Sequence, residues 1–494
     1  MTPLCLQIPE IVLLMCTELR NVDSLGSLAS FAQTNSTICE AALDVLWEMQ
    51  DSLVPFIRTL PQHEILEDNL TFRPLVHVQD YIPSVDWEHS LTYARRVRSL
   101  VFERSRSDLG NNDMGLTART AQLLALRAGH SCLFPNIRKL DFTTLDKPHR
   151  DYKLLRLFLG PSLNALTVCP HLDIEIMLIL PTLPAMCPQV TDLVIEAYKP
   201  DSAEPPQLLR LPFEDAILGW HALTTLQVPD AHPAFLRQLG RCQSLRTLIL
   251  CIDIDQHWAP ASSPAFENGL STLELYTSHP SFPASIIKAM SSAPIGITDL
   301  VVQVEEQEDG DHLSRPDEDS HRARQDNLNT IARMLGPPLT QLYYRESYQY
   351  HGTSELEPLA AETLLQFASF TEMQYFDLDS RFNVSDTDLA FLALAWPSLQ
   401  YFSIAEPASR PFIRRRTPQP HTEITLQSLA SFANSCPMLH HFACYLDATR
   451  IPIHPRSLST TERDTCSQPL YIDILNSPIA DATAVALFIY HVTR

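Results

Sequence analysis

Glycine is scarce in this chain, at 12 of 494 residues. Loops that cradle phosphates use glycine to bring the backbone close to the ligand. Neither G-x-G-x-x-G nor G-x-x-x-x-G-K-[ST] occurs, which argues against nucleotide binding. The 11 cysteines run from Cys5 to Cys466, and no two have C-x-x-C spacing, so zinc and redox motifs are lacking. There is no stretch of about 20 apolar residues, so no membrane span is expected. Basic residues are outnumbered, 36 Lys and Arg against 58 Asp and Glu, for a formal net charge of −22. That balance disfavours nucleic-acid binding, which needs clustered cations, and docking on anionic membranes. H-E-x-x-H and G-x-S-x-G are missing too. No catalytic residue, metal ligand or cofactor is assigned, and the chain is expected not to be an enzyme.

What remains is a foldable chain, 45% hydrophobic and 19% charged. Its length calls for several domains or one elongated array. The N-terminus has no basic leader, and Pro9 and Glu10 interrupt its apolar run. Secretion is therefore not expected, and reduced thiols in the cytoplasm or nucleus fit best. Residues 1–50 read as three short amphipathic helices. In the first, over 9–20, Ile11, Leu14 and Met15 share a face that Leu19 extends. Asp23 or Ser24 can cap a second helix carrying Leu25, Leu28, Ala29 and Ala32. A third, from about Thr37 to Gln50, places Leu43, Leu46 and Trp47 together. Such a module has a small core and wants a partner. Residues 51–93 read as a proline-containing connector, in which 53–66 can form one more helix.

Over 94–494 a unit recurs: apolar-x-x-apolar-x-apolar. Ile137/Leu140/Phe142, Leu163/Leu166/Val168 and Val190/Leu193/Ile195 are examples, among twelve in all. Uninterrupted central positions lie 22–27 residues apart, within the roughly 20–29 of leucine-rich repeats. An aliphatic chain this long meets the three-position pattern on the order of fifteen times by chance. Proline placement separates signal from chance. It stands two residues before the first apolar position at Pro135, Pro161, Pro188, Pro337, Pro397 and Pro437, six of twelve units where random placement gives about one. Proline stops a helix and hands the chain to an extended segment. Helical patterns precede several units, as at Ser385–Trp396 and Thr425–Cys436. Helix, proline and strand, repeated, make a solenoid. Leu140, Leu166, Leu193, Leu226, Leu248, Leu273 and Leu300 are expected to stack as its buried ladder.

Two inserts interrupt the array, near 305–325 and 407–423. The first is acidic, and the second holds Arg410, Arg414, Arg415 and Arg416 among prolines. Both read as mobile loops. On the strands, residues between the buried positions point outward. For the later units that exposes Glu274, Tyr276, Tyr343, Arg345, Asp377, Asp379 and Tyr445, the expected substrate face, on the concave side. Asp377 and Asp379 share a face and can pair as acid and base, but on a repeat strand they read rather as surface decoration.

Ile8-Pro9-Glu10-Ile11, the Leu25–Phe31 helix and Ala41–Glu48 with its Leu46-Trp47 pair carry a resemblance. The chain resembles an F-box protein with C-terminal leucine-rich repeats, most like the divergent ones abundant in mushroom-forming fungi. Ile8 stands where that family commonly has leucine, and the repeats lack its regular asparagine. The resemblance implies an α/β fold, with a three-helix F-box module followed by a curved leucine-rich-repeat solenoid bearing a short-stranded parallel sheet. It implies a substrate-recognition adaptor of a cullin-RING (SCF-type) ubiquitin ligase. The F-box would bind a Skp1-type adaptor through Ile8, Pro9, Glu10, Ile11, Leu14, Leu25, Leu28 and Trp47, and the repeats an unknown protein substrate. The alternative is a leucine-rich-repeat interaction scaffold that joins no ligase.

Overall fold

In a computed structural model of the chain, each of the twelve apolar-x-x-apolar-x-apolar units leads into a short strand, most of them through a tight turn. The structure describes residues 8–22, 25–60, 63–67, 74–78, 84–101, 115–116, 118–129, 131–142, 152–168, 179–196, 210–229, 231–252, 258, 260–261, 266, 269–305, 318–347, 358–380, 382–404, 423–451, 470–475 and 477–493. The chain divides into two compact units, Met1–Leu226 and Gln227–Arg494. Among the described residues no helix is long and apolar enough to cross a membrane.

The prolines act through turn geometry. Each fills the second position of a tight turn, where its fixed φ is already correct. The turn closes when the first apolar residue donates its N–H back three residues: Ile137 to Phe134 O, Leu163 to Gly160 O, Leu399 to Trp396 O and Leu439 to Cys436 O, each at 3.1 Å. The next residue carries the bond that sets register. Its carbonyl accepts two consecutive N–H groups from the following repeat. Arg138 O takes those of Asn164 and Ala165, and Thr298 O those of Thr340 and Gln341. The same pattern recurs at Asn164, Thr191, Arg246, Ser271, Thr340, Gln374 and Gln400.

In the first unit, parallel strands follow chain order: Met49–Gln50, Ser99–Val101, Lys139–Phe142, Ala165–Val168 and Asp192–Ile195. Leu140, Leu166 and Leu193 are register partners, as expected, Leu100 joins them, and all are buried. A separate sheet holds an antiparallel pair, His63–Glu67 with Pro74–Val78, joined by Gly115–Leu116. The extra helix expected over 53–66 is therefore only Val54–Arg58, after which the chain turns to strand. Before these comes the helical module: Pro9–Asn21, Leu25–Ala32 and Ser36–Glu48. Val12, Cys16, Leu28, Ala32, Ile38, Ala42 and Val45 make its core. The third helix runs directly into Met49–Gln50, whose pairing with Ser99–Leu100 ties module to array.

In the second unit the strands Thr247–Ile252, Thr272–Thr277, Asp299–Glu305, Gln341–Ser347, Tyr375–Leu378, Tyr401–Ile404, His441–Cys444 and Tyr471–Asp473 again pair in chain order. The central ladder reads Leu248, Leu273, Leu300, Leu342, Phe376, Phe402, Phe442 and Ile472. The seventh expected ladder residue, Leu226, is buried where the two units meet in the chain. The helices Asp386–Ala395 and Leu426–Ser435 stand where their sequence predicts, capped by Ser385 and Thr425. The acidic insert near 305–325 differs from its expectation as a loop: from Glu318 the chain is helical, through Met334. Its remainder, 306–317, lies outside the described residues, as does most of the second insert, 405–422.

Behind that helix lies a buried polar network. Arg324 Nε donates to Glu346 Oε2 at 2.8 Å, and both side chains are buried. The Tyr344 hydroxyl donates to Glu346 Oε1, and Asn327 Nδ2 donates to Tyr344 Oη at 3.0 Å. Asn327 also receives the Ala284 N–H, so one side chain fastens two helices and a strand.

Candidate functional site

The first candidate site is the N-terminal helix. Ile8 is extended, Pro9 opens the helix, and Glu10 sits in its first turn, where an acid suits the dipole. The inward stripe is Val12, Cys16 and Leu19, not the Ile11, Leu14 and Met15 stripe predicted from periodicity. Both stripes have helical spacing. The smaller side chains of Val12 and Cys16 let the three helices approach closely, so the long ones go outside. Ile8, Ile11, Leu14 and Met15 stay exposed, Leu14 at 61%, and Leu25 opens the second helix at 52%. Arg20 fixes the helix's far end by donating to Val45 O and Met49 O.

Two residues assigned to the docking surface are not on it. Leu28 is fully buried in the module core. Trp47 is buried against Tyr93, ring centroids 4.9 Å apart, and so packs toward the array. Ile8, Pro9, Glu10, Ile11, Leu14 and Leu25 are all exposed.

The second candidate site is the open sheet face of the second unit. Alternation along each long strand sends every second residue inward and those between them outward. Register aligns Glu274, Val301, Tyr343, Asp377 and Ser403 in one outward row, and Tyr276, Gln303 and Arg345 in the next. The expected substrate face is thus one neighbourhood for six of its seven residues. Tyr276 donates its hydroxyl to Glu274 Oε2 at 2.9 Å. Burial first, and then that bond, push the Tyr276 hydroxyl up to about 12, so the phenol stays neutral. The Arg345 guanidinium lies over the Tyr343 ring, 4.6 Å from its centroid, and donates to Asp377 Oδ2 at 3.3 Å. Asp377 is buried rather than exposed as expected, because Arg345 caps it.

Asp379 follows, with one carboxylate oxygen buried and without a hydrogen bond. Burial pushes its pKa from 3.8 up to about 8. Asp377 and Glu346 add to that shift, while Arg345 and Arg324 oppose it. Tyr445 is half-buried just beyond His441–Cys444, five strands from Tyr276.

Between Tyr276, Tyr343 and Tyr375 the sheet face is hollowed by about 350 Å³, with Asp299, Gln303 and Gln341 also on its lining. Beside it runs a file of four rings that sequence reading missed. Tyr375 stacks on Tyr401 at 4.2 Å, Tyr401 on His441 at 4.1 Å and His441 on Tyr471 at 4.9 Å. Burial lowers the His441 pKa. These rings occupy the first strand position of successive repeats, and aligning the repeats in sequence exposes them. Of the adjacent histidines, His440 instead sits before the strand, its carbonyl taking the Tyr471 N–H.

Two buried thiols are packing groups. Burial pushes Cys187 and Cys436 each up to about 12, far from nucleophilic poise. Among the described residues no three His, Cys, Asp or Glu side chains gather to hold a metal ion. No protein-family model matches this chain, and no curated protein matches it.

Proposed function

We propose that the chain is a substrate-recognition adaptor of an SCF-type cullin-RING ubiquitin ligase, with residues 1–50 acting as an F-box and the repeats as the substrate receptor. One observation carries the reading: a module with a complete, small core still leaves Ile8, Ile11, Leu14, Met15 and Leu25 in water. A folded module gains nothing from exposing five large apolar side chains. A partner that covers them gains about 1.5–3 kcal/mol for each one fully buried. The F-box resemblance names that partner as a Skp1-type adaptor, in the cytoplasm or nucleus.

The test is co-purification of the adaptor with the full chain. Leu14→Asp combined with Leu25→Asp is expected to abolish capture and leave the circular dichroism spectrum intact, because both positions are exposed. Leu28→Asp is the contrasting variant: a charge in the core costs several kcal/mol and unfolds the module. Undiminished capture by the Leu14/Leu25 variant would favour the repeat scaffold that joins no ligase.

A further inference from the structure

We propose that the hollow between Tyr276, Tyr343 and Tyr375 receives a lysine or arginine side chain, so that the second unit recognises a basic peptide segment. The inference rests on the adaptor reading for its biological setting, since it names the chemistry of the substrate.

The size comes first. At about 350 Å³ and open to solvent, the hollow is at the small end of the roughly 300–1,000 Å³ of ligand pockets. It suits one side chain of a longer segment lying on the sheet rather than an enclosed cofactor.

The walls come next. Three tyrosine rings flank the hollow, and a ring face attracts a cation within about 6 Å of its centroid. The surface already demonstrates this chemistry. Arg345 lies 4.6 Å from the Tyr343 centroid.

Charge then selects the sign of the occupant. Arg345 is committed to Asp377 at 3.3 Å. Asp299 receives only hydroxyl hydrogen bonds, from Thr298 at 2.8 Å and Thr272 at 3.5 Å, and Glu274 only that of Tyr276. Among the described residues neither Asp299 nor Glu274 has an ion pair. A cation entering the hollow meets the Asp299 carboxylate on its lining, and the Glu274 carboxylate stands just beyond it, held by the Tyr276 hydroxyl. An acidic segment would meet like charge there and across a chain of net charge −22.

The test needs no ligase. A display library of random twelve-residue peptides is selected on the purified full chain, and enriched peptides are measured by fluorescence polarisation. Enriched sequences are expected to share a lysine or arginine at a common position, and replacing it with norleucine should weaken binding at least tenfold. Asp299→Asn with Glu274→Gln should weaken the same peptide tenfold or more, and Tyr276→Leu comparably. These positions are half-exposed, and thermal unfolding checks that the variants stay folded. Enrichment of acidic or uncharged peptides, no enrichment at all, or basic peptides that bind the variants unchanged would each overturn the proposal. Adaptor capture is scored on the same preparation. Capture without peptide binding removes the basic-segment inference alone, and peptide binding without capture removes the ligase reading alone.

Discussion

Single residues set two opposing balances in the second unit. Asp379 is held by burial as a carboxylic acid with a pKa about 8, against 3.8 for an ordinary aspartate. An acid that binds its proton more tightly when folded favours folding at low pH. Its contribution is full below about pH 4 and falls as the pH climbs towards about 8, by at most ~1.4 kcal/mol per unit. Asp379→Asn removes the titrating group. The variant is expected to melt higher than the parent at pH 8, with the gap narrowing towards pH 5. A gap that stays constant with pH would show that Asp379 is ionised in the folded chain throughout. The neighbouring Arg324–Glu346 pair has the reverse character. It is buried on both sides, and Glu346→Leu is expected to cost about 3–5 kcal/mol by removing the carboxylate that holds a buried guanidinium. Arg324→Met added to Glu346→Leu should recover much of that loss in a denaturant melt.

Helices and strands show how far sequence reading reaches. The repeat strands were legible because two independent signals coincide, apolar spacing and proline at the second position of a turn. The Ser385 cap was legible because Ser385 and Asp388 make a capping box. What periodicity cannot decide is which of two adjoining apolar stripes faces inward, and on Pro9–Asn21 side-chain size decided it. Nor does the pattern over one unit show what stacks on it. The Tyr375–Tyr401–His441–Tyr471 file needs unequal gaps in the sequence to be closed by register. The helix from Glu318 was hidden because its acidic start resembles a loop. Helix-to-helix coupling was hidden as well. Asp386 opens one helix and also accepts the Thr425 N–H at 2.8 Å, the Thr425 hydroxyl at 2.6 Å and the Ser428 hydroxyl at 2.5 Å from the next. Asp386→Ala therefore strips three bonds that tie the start of the next helix to this one and is expected to cost about 1–3 kcal/mol. Ser385→Ala touches one cap and should cost about 1 kcal/mol, so the ordering of the two melting temperatures checks the coupling.

Across the whole chain, the adaptor and substrate readings fall on separate units, so each can be lost without the other. Within the second unit each described strand of the repeat ladder pairs only with the strands of the repeats before and after it, while Leu359–Ala360 and Phe382–Asn383 form a separate two-stranded sheet. At Arg246, Ser271, Thr298, Thr340, Gln374 and Gln400 one carbonyl holds two N–H groups of the next repeat. That linkage has a mechanical consequence. Pulled from its C-terminal end, such an array has no distant clamp to break, and load falls on one shared carbonyl at a time. Repeats should peel away singly, each releasing on the order of 90 Å of chain for about 26 residues, as a staircase of small steps rather than one large rupture.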